Sequence, residues 1–250
     1  MTKQKFDGLA EEYDQSRPRY PEELWDVLTQ RLPRRDKRFV MVDAGAGTGI
    51  ALEGLLPRIP ADSQVTAIDI SSDMVRVGAT KFPQVEWITT EAEPFLEGSD
   101  GLDLVVVAQA YQWMDRSRFT SAAYSALRSG GLVAIIQNNR DFEGSDFLDA
   151  YETLLEIMSP GYSRGYRSFD IRAELENIFE PGKTGLDVAT WERPMSVGDF
   201  VEMSSSSTQV QRAIAAYPGF LEEVRNLAEQ YAREGSINIV YRSELYTAEK

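Results

Sequence analysis

The sequence of 250 residues contains no cysteine and no histidine. Without cysteine the chain has no disulfide, no thiol nucleophile, no thiolate zinc site and no cysteine-held iron–sulfur cluster. Without histidine it also lacks the side chain that most often serves as general base and as metal ligand. The two absences exclude Ser-His-Asp and Cys-His hydrolases and limit any metal to a hard cation with oxygen ligands. We predict no metal site.

Positive charge is also scarce, because 26 Lys and Arg residues stand against 40 Asp and Glu residues, which gives a net charge of −14. This excess of negative charge argues against a protein that neutralises the phosphates of a nucleic acid. No stretch approaches the roughly 18 apolar residues of a membrane span, and Met1 to Phe6 lacks the apolar run of a signal peptide. We therefore predict a cytoplasmic protein without a membrane or nucleic-acid partner, and the sequence leaves its oligomeric state open.

Between residues 38 and 137, short apolar runs rich in β-branched side chains alternate with helical patterns. The five runs are residues 39–43, 65–69, 85–88, 102–108 and 132–137. Strands that are apolar at nearly every position are buried on both faces. The alternation therefore predicts an α/β fold in which helices cover both faces of a parallel sheet.

Helical patterns also flank this central region. Residues 1–36 form a predicted N-terminal helical cap, and residues 37–250 form the main domain. Within that domain, two helical insertions at about 141–182 and 196–234 surround a possible strand at 186–191. Alternating apolar residues from Ile237 to Tyr246 predict a closing strand.

A glycine-rich loop follows the first predicted strand, where Asp43 and Ala44 lead into Gly45-Ala46-Gly47-Thr48-Gly49. Glycine permits a tight turn and lets a ligand approach the main chain. Dinucleotide-binding loops have the spacing G-x-G-x-x-G, which places a pyrophosphate at the helix N-terminus. Here the spacing is G-x-G-x-G, and Asp69 ends the second predicted strand, where its carboxylate can accept both hydroxyls of a ribose. The pattern predicts an adenosine ligand without phosphates.

With these features the chain resembles the class I S-adenosylmethionine-dependent methyltransferases, in particular the small-molecule subgroup related to trans-aconitate methyltransferases. The residues that carry the resemblance are Phe6, Ala10, Tyr13, Arg17-Pro18, Tyr20-Pro21, the loop from Asp43 to Gly49, Asp69, Glu91-Ala92-Glu93, Gln109 to Trp113, and the closing strand. The resemblance implies a Rossmann-like, seven-stranded, mostly parallel sheet of order 3-2-1-4-5-7-6 with a helical cap. It also implies S-adenosylmethionine as the cofactor.

The resemblance further implies a set of cofactor-binding residues. Gly45, Ala46 and Gly47 would pass under the methionine part, and Asp69 would hold the ribose. The other members of the set are Ile70 on the adenine, Glu91 and Ala92 at its edge, Gln109 near the sulfonium, Tyr13 and Arg17 at the methionine carboxylate, and Asp43 with Ala44 at the start of the loop. For Asp43 a second role, the stabilisation of the loop, remains open. For the tyrosines of the N-terminal segment, packing against the core is the alternative.

Catalysis of methyl transfer depends mainly on alignment, because the sulfonium donor is already activated. Related sequences often have an aromatic-His-Trp triplet after the fourth strand, whereas this chain has Tyr111-Gln112-Trp113. A glutamine can orient an acceptor but cannot take its proton. These three residues are the catalytic candidates, and support of the loop is the alternative role for Gln112.

Acceptor-binding candidates lie on several segments, since the region after the fifth strand leaves the sheet at its ligand-binding edge. They are Tyr20, Trp113, Arg140, Tyr162 and Tyr166. Tyr162, Tyr166 and Arg167 belong to a glycine-containing stretch that is a candidate lid, and the sequence leaves open whether residues 160–167 form one. Such aromatic and arginine side chains suit a flat or carboxylate-bearing acceptor, although plain packing also explains them.

The sequence thus predicts a methyltransferase for a small-molecule metabolite or natural product, with oxygen favoured over nitrogen or carbon as the methylated atom. A protein of the same fold that binds the cofactor but has a cyclase-like or regulatory role is the first alternative. A nicotinamide-dependent oxidoreductase is a weaker alternative, because the loop lacks the dinucleotide spacing.

Overall fold

The computed structural model describes residues 10–33 and 38–250. The predicted contribution of Phe6 and the predicted cap boundary at residue 36 lie outside the described residues. The strands are β1 (Val40–Ala44), β2 (Gln64–Asp69), β3 (Glu86–Thr89), β4 (Leu102–Ala108), β5 (Leu127–Arg140), β6 (Thr184–Ser196) and β7 (Ser236–Glu249). The helices are α1 (Ala10–Ser16), α2 (Glu22–Arg31), α3 (Ile50–Leu55), α4 (Ser72–Lys81), α5 (Ala92–Glu97), α6 (Arg116–Ala126), α7 (Asp146–Met158), α8 (Ile171–Glu176), α9 (Val197–Ser205), α10 (Thr208–Ala216) and α11 (Phe220–Tyr231).

The strands form one sheet in the order β3-β2-β1-β4-β5-β7-β6, which confirms the predicted topology. Neighbouring strands from β3 to β5 run parallel, and β7 runs antiparallel to both β5 and β6. The chain leaves β1 for β2 on one side, whereas β4 lies on the other side of β1. This reversal opens a crevice at the carboxyl ends of β1 and β4, where ligands bind in open α/β sheets.

The central strand β4 shows why the sheet is buried on both faces. Leu104 and Val106 pack into a core with helices α2 and α3, whereas Val105 and Val107 pack into a second core with α5, α6 and α8. Successive side chains of a strand point to opposite faces, so a continuous apolar run supplies both cores. A third core joins α7, α9, α10 and α11 to the beginning of β7.

Helix boundaries follow local capping signals. The Ser71 side chain caps α4 by accepting a hydrogen bond from the Met74 backbone N–H at 3.4 Å. Helix α6 ends at Ala126, before the Gly130-Gly131 pair. The reason is that Leu127 already pairs with Leu102 of β4, while Gly130, at a φ of +74°, forms the turn before the ladder resumes.

Gly54 of α3 lies against the indole of Trp25, and alanine at this position is expected to destabilise the fold. A Cβ atom there would lie 2.1 Å from Trp25 Nε1, and the indole is only 2% exposed. The helical preference for alanine recovers about 1 kcal/mol, whereas overpacking of a core typically costs about 1–3 kcal/mol. Urea unfolding of Gly54→Ala should show a net loss of stability. The control is Gly198→Ala in α9, whose Cβ would meet only Ser196 Oγ at 3.7 Å and should cost nothing.

Candidate functional site

Two adjoining cavities lie at the carboxyl ends of the central strands. The first cavity has a volume of about 360 Å³, and its walls include Gly45, Ala46, Gly47, Thr48, Asp69, Ile70, Ser71, Met74, Thr90, Glu91, Ala92, Glu93, Ala108, Ala110, Met114 and Arg118. The second cavity has a volume of about 330 Å³, and its walls include Arg17, Gln112, Asn138, Asn139, Arg140, Phe142, Glu152, Tyr162, Arg164, Tyr166, Arg167 and Tyr241. The residues that line both cavities are Tyr13, Tyr20, Ile50, Gln109 and Trp113. We call these five the junction.

The glycine loop forms the wall of the first cavity next to β1. Gly45 and Gly47 have φ angles of +69° and +56°, in the left-handed region that favours glycine. A Cβ on Gly45 would lie 2.5 Å from the Cβ of Ala110, whereas a Cβ on Gly47 would meet nothing within 4 Å. Gly45 therefore satisfies both a backbone and a space requirement, and Gly47 leaves open space beside the main chain that a ligand can occupy.

Asp69 lies at the end of β2 and faces the same loop. Its Oδ2 accepts a hydrogen bond from the Gly47 N–H and its Oδ1 accepts one from the Ser71 N–H, both at 2.9 Å. Burial raises the pKa of Asp69, and the backbone donors of Ser71 and Gly47 act in the opposite direction. Each carboxylate oxygen has a further acceptor position. Asp69 is thus held in place and can still accept hydrogen bonds from a ligand in the first cavity.

Asp43 is fully buried beneath the loop, and neither of its oxygens has a hydrogen-bond partner among the described residues. Burial, and after it the charge of Asp69, raises the pKa of Asp43 to about 7. The side chain therefore does not hold the loop by hydrogen bonds. Neither Asp43 nor Ala44 is in the wall of the first or the second cavity, so any effect of Asp43 on a ligand there is electrostatic.

The N-terminal segment covers both cavities and is tied down by polar contacts. Asp14 of α1 accepts hydrogen bonds from Thr48 Oγ1 at 2.6 Å and from Lys81 Nζ at 2.5 Å. Tyr20 packs edge-on against Trp25, with ring centroids 5.4 Å apart, and also forms part of the junction. Packing and cavity lining are therefore combined in one side chain.

Arg17 belongs to the same segment and lines the second cavity but not the first. Its Nη2 donates to the Ser206 carbonyl at 3.4 Å, and its guanidinium lies 4.6 Å from the centre of the Tyr13 ring. The structure thus brings Arg17 together with Tyr13 and Gln109, with which it shares the second cavity. It does not place Arg17 in the wall of the first cavity, which is lined by the other predicted cofactor residues Tyr13, Gly45, Ala46, Gly47, Asp69, Ile70, Glu91, Ala92 and Gln109.

The segment after β4 directs its side chains to different places. Gln109 has a φ of +57°, and its carbonyl accepts a hydrogen bond from Gln112 Nε2 at 2.8 Å. Tyr111 is fully buried, and its hydroxyl donates to Glu174 at 2.8 Å. Trp113 lies at the junction. Gln112 therefore supports the strained turn and also lines the second cavity, whereas Tyr111 lies away from both cavities.

Arg140 and Tyr162 meet at Glu152 of α7. Glu152 is buried, forms an ion pair with Arg140 at 2.9 Å and accepts a hydrogen bond from the Tyr162 hydroxyl. Glu152 lies among apolar residues of α7, since Leu148, Tyr151 and Leu155 share the buried face of this helix. An acid at such a position signals a buried partner, and this signal was available in the sequence although Glu152 was not among the predicted residues.

No helix within residues 10–33 and 38–250 is long and apolar enough to cross a membrane. The same residues contain no cluster of three or more carboxylates that could hold a metal ion.

Comparison with known proteins agrees with this geometry. Residues 41–131 match the family model of a methyltransferase domain. An uncharacterized methyltransferase of Mycobacterium tuberculosis is 32% identical over 54% of this chain and 53% of its own length. Trans-aconitate 2-methyltransferase of Azoarcus sp. is 31% identical over 43% of this chain and 42% of its own length. The chain thus spans about half the length of the curated relatives that it matches.

The whole chain is similar in structure to a type II methyltransferase from Anaeromyxobacter dehalogenans, which is described as putative in its structure report. The TM-score is 0.68 at 20% sequence identity, and the match covers 93% of this chain and 97% of the other. Residues 41–131 therefore match a methyltransferase domain, and the described residues have the Rossmann-like fold of the class I S-adenosylmethionine-dependent methyltransferases.

Proposed function

We propose that the first cavity binds S-adenosylmethionine and that the chain transfers its methyl group to an oxygen of a small molecule held in the second cavity. The observation that carries this proposal is the junction, whose five residues line both cavities. Two of them follow β4, and two others belong to the N-terminal segment. Two reactants in these cavities would meet at one place, and such alignment supplies much of the catalysis of a bimolecular reaction.

The residues around the first cavity fit this cofactor. Asp69 has acceptor positions for the two ribose hydroxyls, and Gly47 leaves space beside the main chain. Ile70 is an apolar surface for the adenine, and Glu91 with Ala92 lies at the same wall. The buried, unpartnered carboxylate of Asp43 favours the positive charge at the methionine end of the cofactor. The volume of about 360 Å³ lies in the usual range of small-molecule sites, about 300–1,000 Å³.

The bound cofactor would supply an activated methyl group on a positively charged sulfur. The protein's own task is to orient the acceptor and exclude water, and the junction contains no carboxylate or histidine. Burial and the charges of Tyr13 and Asp43 raise the pKa of Tyr20 well above 10, so this phenol keeps its proton at neutral pH. An acceptor that is already ionised needs no base. These features favour a carboxylate oxygen over an amine or a carbon as the methylated atom.

Isothermal titration calorimetry with S-adenosylmethionine, S-adenosylhomocysteine and a nicotinamide dinucleotide tests the proposal. We expect both sulfur compounds to bind and the dinucleotide not to bind, because the glycine loop lacks the spacing that receives a pyrophosphate. Binding of the dinucleotide alone would support an oxidoreductase. Binding of S-adenosylmethionine without release of S-adenosylhomocysteine, across a broad screen of organic acids, phenols and amines, would support the non-methylating alternative.

A further inference from the structure

Gln137 of β5 is a buried polar residue that the proposed function does not use. The residue is 3% exposed and lines neither the first nor the second cavity. Its Nε2 donates to Gln112 Oε1 at 3.4 Å, whereas its Oε1 is shielded from solvent and has no hydrogen-bond partner among the described residues. A buried acceptor without a partner costs stability, which an apolar residue of the same shape would avoid. This cost points to a role for Gln137 other than packing.

Three glutamines form a chain of hydrogen bonds whose direction is fixed at one end. The Gln109 carbonyl can only accept, and it accepts from Gln112 Nε2 at 2.8 Å. Gln112 therefore directs its amide nitrogen toward Gln109 and presents its amide oxygen to Gln137. An amide oxygen needs a donor, and Gln137 supplies its amide nitrogen. The Gln137 side chain thus selects one of the two orientations of the Gln112 amide.

The chain of hydrogen bonds ends at a strained turn in the wall of both cavities. Gln109 has a φ of +57°, in the left-handed region that disfavours residues other than glycine. Such a conformation persists only when the surrounding contacts hold it. Gln109 also donates from its backbone N–H to the Ile136 carbonyl at 2.9 Å and from Nε2 to the Asn138 carbonyl. The turn supplies four residues to the wall of the first cavity, which are Gln109, Ala110, Trp113 and Met114.

We propose that Gln137 is a positioning residue for the cofactor site. It orients the Gln112 amide, Gln112 holds the Gln109 carbonyl, and the turn then keeps the conformation that shapes the wall of the first cavity. Neither Gln112 nor Gln137 lines the first cavity, so the turn is the route by which they act on a ligand there. This inference rests on the proposed function, which places S-adenosylmethionine in the first cavity.

Gln137→Met tests the inference, because methionine is similar in size and has no N–H donor. Calorimetry with the full chain measures the affinity for S-adenosylhomocysteine, and urea unfolding measures stability. We expect the affinity to weaken about 3- to 10-fold, the effect of one neutral hydrogen bond. The urea midpoint should not decrease, since the variant also removes the unpartnered Oε1. A residue that only packs the core would change the midpoint and not the affinity.

Gln109→Gly is the background in which this support should become unnecessary, because glycine adopts a φ of +57° without strain. Adding Gln137→Met to Gln109→Gly should change the affinity by less than about twofold, which is the range of independent sites. In the wild-type background, Gln112→Met should weaken the affinity as much as Gln137→Met does. The double variant should lose no more than either single variant, since both act on one hydrogen-bonded chain.

Thr247→Val is the matched control for the loss of a buried polar group from the same sheet. Thr247 of β7 is 3% exposed, lines neither cavity, and accepts a hydrogen bond at Oγ1 from Arg31 Nη1 at 2.8 Å. This variant should lower the urea midpoint and leave the affinity for S-adenosylhomocysteine within about twofold of the wild type.

Four results would overturn the inference. The first is an unchanged affinity in Gln137→Met, and the second is a Gln137→Met variant that does not fold, which would assign the side chain to the core. The third is an equal loss of affinity when Gln137→Met is added to Gln109→Gly, and the fourth is an equal loss in Thr247→Val. If S-adenosylhomocysteine fails to bind the wild type, it is the proposed function that fails, so the two failures are distinguishable.

Discussion

Replacement of Asp69 by alanine is expected to weaken the binding of S-adenosylmethionine at least about 100-fold. The change removes two hydrogen-bond acceptors for the ribose, and a hydrogen bond to a charged group is worth about 1.5–3 kcal/mol. The combined loss of about 3–6 kcal/mol corresponds to a factor of about 100 or more in the dissociation constant. Calorimetry with S-adenosylmethionine measures the effect directly.

The same substitution also acts on the glycine loop, because the Gly47 and Ser71 N–H groups lose the carboxylate that accepts their hydrogen bonds. A melting curve must therefore accompany the titration, so that weaker binding is separated from unfolding. Asp73→Asn is the control, since Asp73 forms an exposed pair with Arg76 on α4 at 2.8 Å and lines neither cavity. Exposed pairs contribute about 0–1 kcal/mol, so this variant should bind normally. An unchanged dissociation constant for a folded Asp69→Ala protein would remove Asp69 from the cofactor site.

The location of Asp69 was predictable because it depends on order along the chain. A carboxylate at the end of one parallel strand and a glycine loop at the end of the next necessarily lie at the same edge of the sheet. The apolar runs gave the strands, and the strand order 3-2-1-4-5-7-6 came from the resemblance and is confirmed. Such features depend on neighbouring residues or on strand order, and they locate most of the residues in the wall of the first cavity.

The second cavity was less predictable because its charges come from distant segments. Arg17 follows α1, Glu152 lies in α7 and Arg167 lies between α7 and α8, and no spacing in the sequence shows which arginine has a carboxylate partner. The segment at 111–113 illustrates a second difficulty. In its short 3-10 turn consecutive side chains point in different directions, so Tyr111 enters the core while Trp113 reaches the junction.

Asp43 gives the second large expected effect, which is a decrease in the stability of the unliganded protein as the pH rises. The pKa of this carboxyl increases from 3.8 in the unfolded chain to about 7 in the folded one, mainly because of burial. The folded state therefore holds the proton more tightly, and its contribution to stability is complete below pH 3.8 and is lost as the pH rises through about 7. The loss from this one group is at most about 4 kcal/mol. Urea unfolding at pH 5 and pH 8 should show it in the wild type.

Asp43→Asn removes the titrating group while retaining its size, so the variant should lose less stability than the wild type between pH 5 and pH 8. If stability changed equally with pH in the two proteins, Asp43 would be ionised in the folded state without a loss of stability. The control is Asp62→Asn, which changes an exposed turn residue and should leave the dependence of stability on pH unaltered. Gln137→Glu would not serve as a control because it adds a buried charge.

Cofactor affinity should increase as the pH rises, whereas the stability of the unliganded protein should decrease. The ionised carboxylate of Asp43 destabilises the free protein but favours a cation nearby. Binding of the positively charged cofactor should therefore lower the pKa of Asp43. Affinity for S-adenosylmethionine is then expected to increase as the pH rises through about 7. S-adenosylhomocysteine lacks the sulfonium charge, so its affinity should change less. Calorimetry of both ligands at pH 6 and pH 8 separates the two cases, and in Asp43→Asn the difference between them should disappear. The same buried charge that weakens the empty fold would thus select the charged donor over its neutral product.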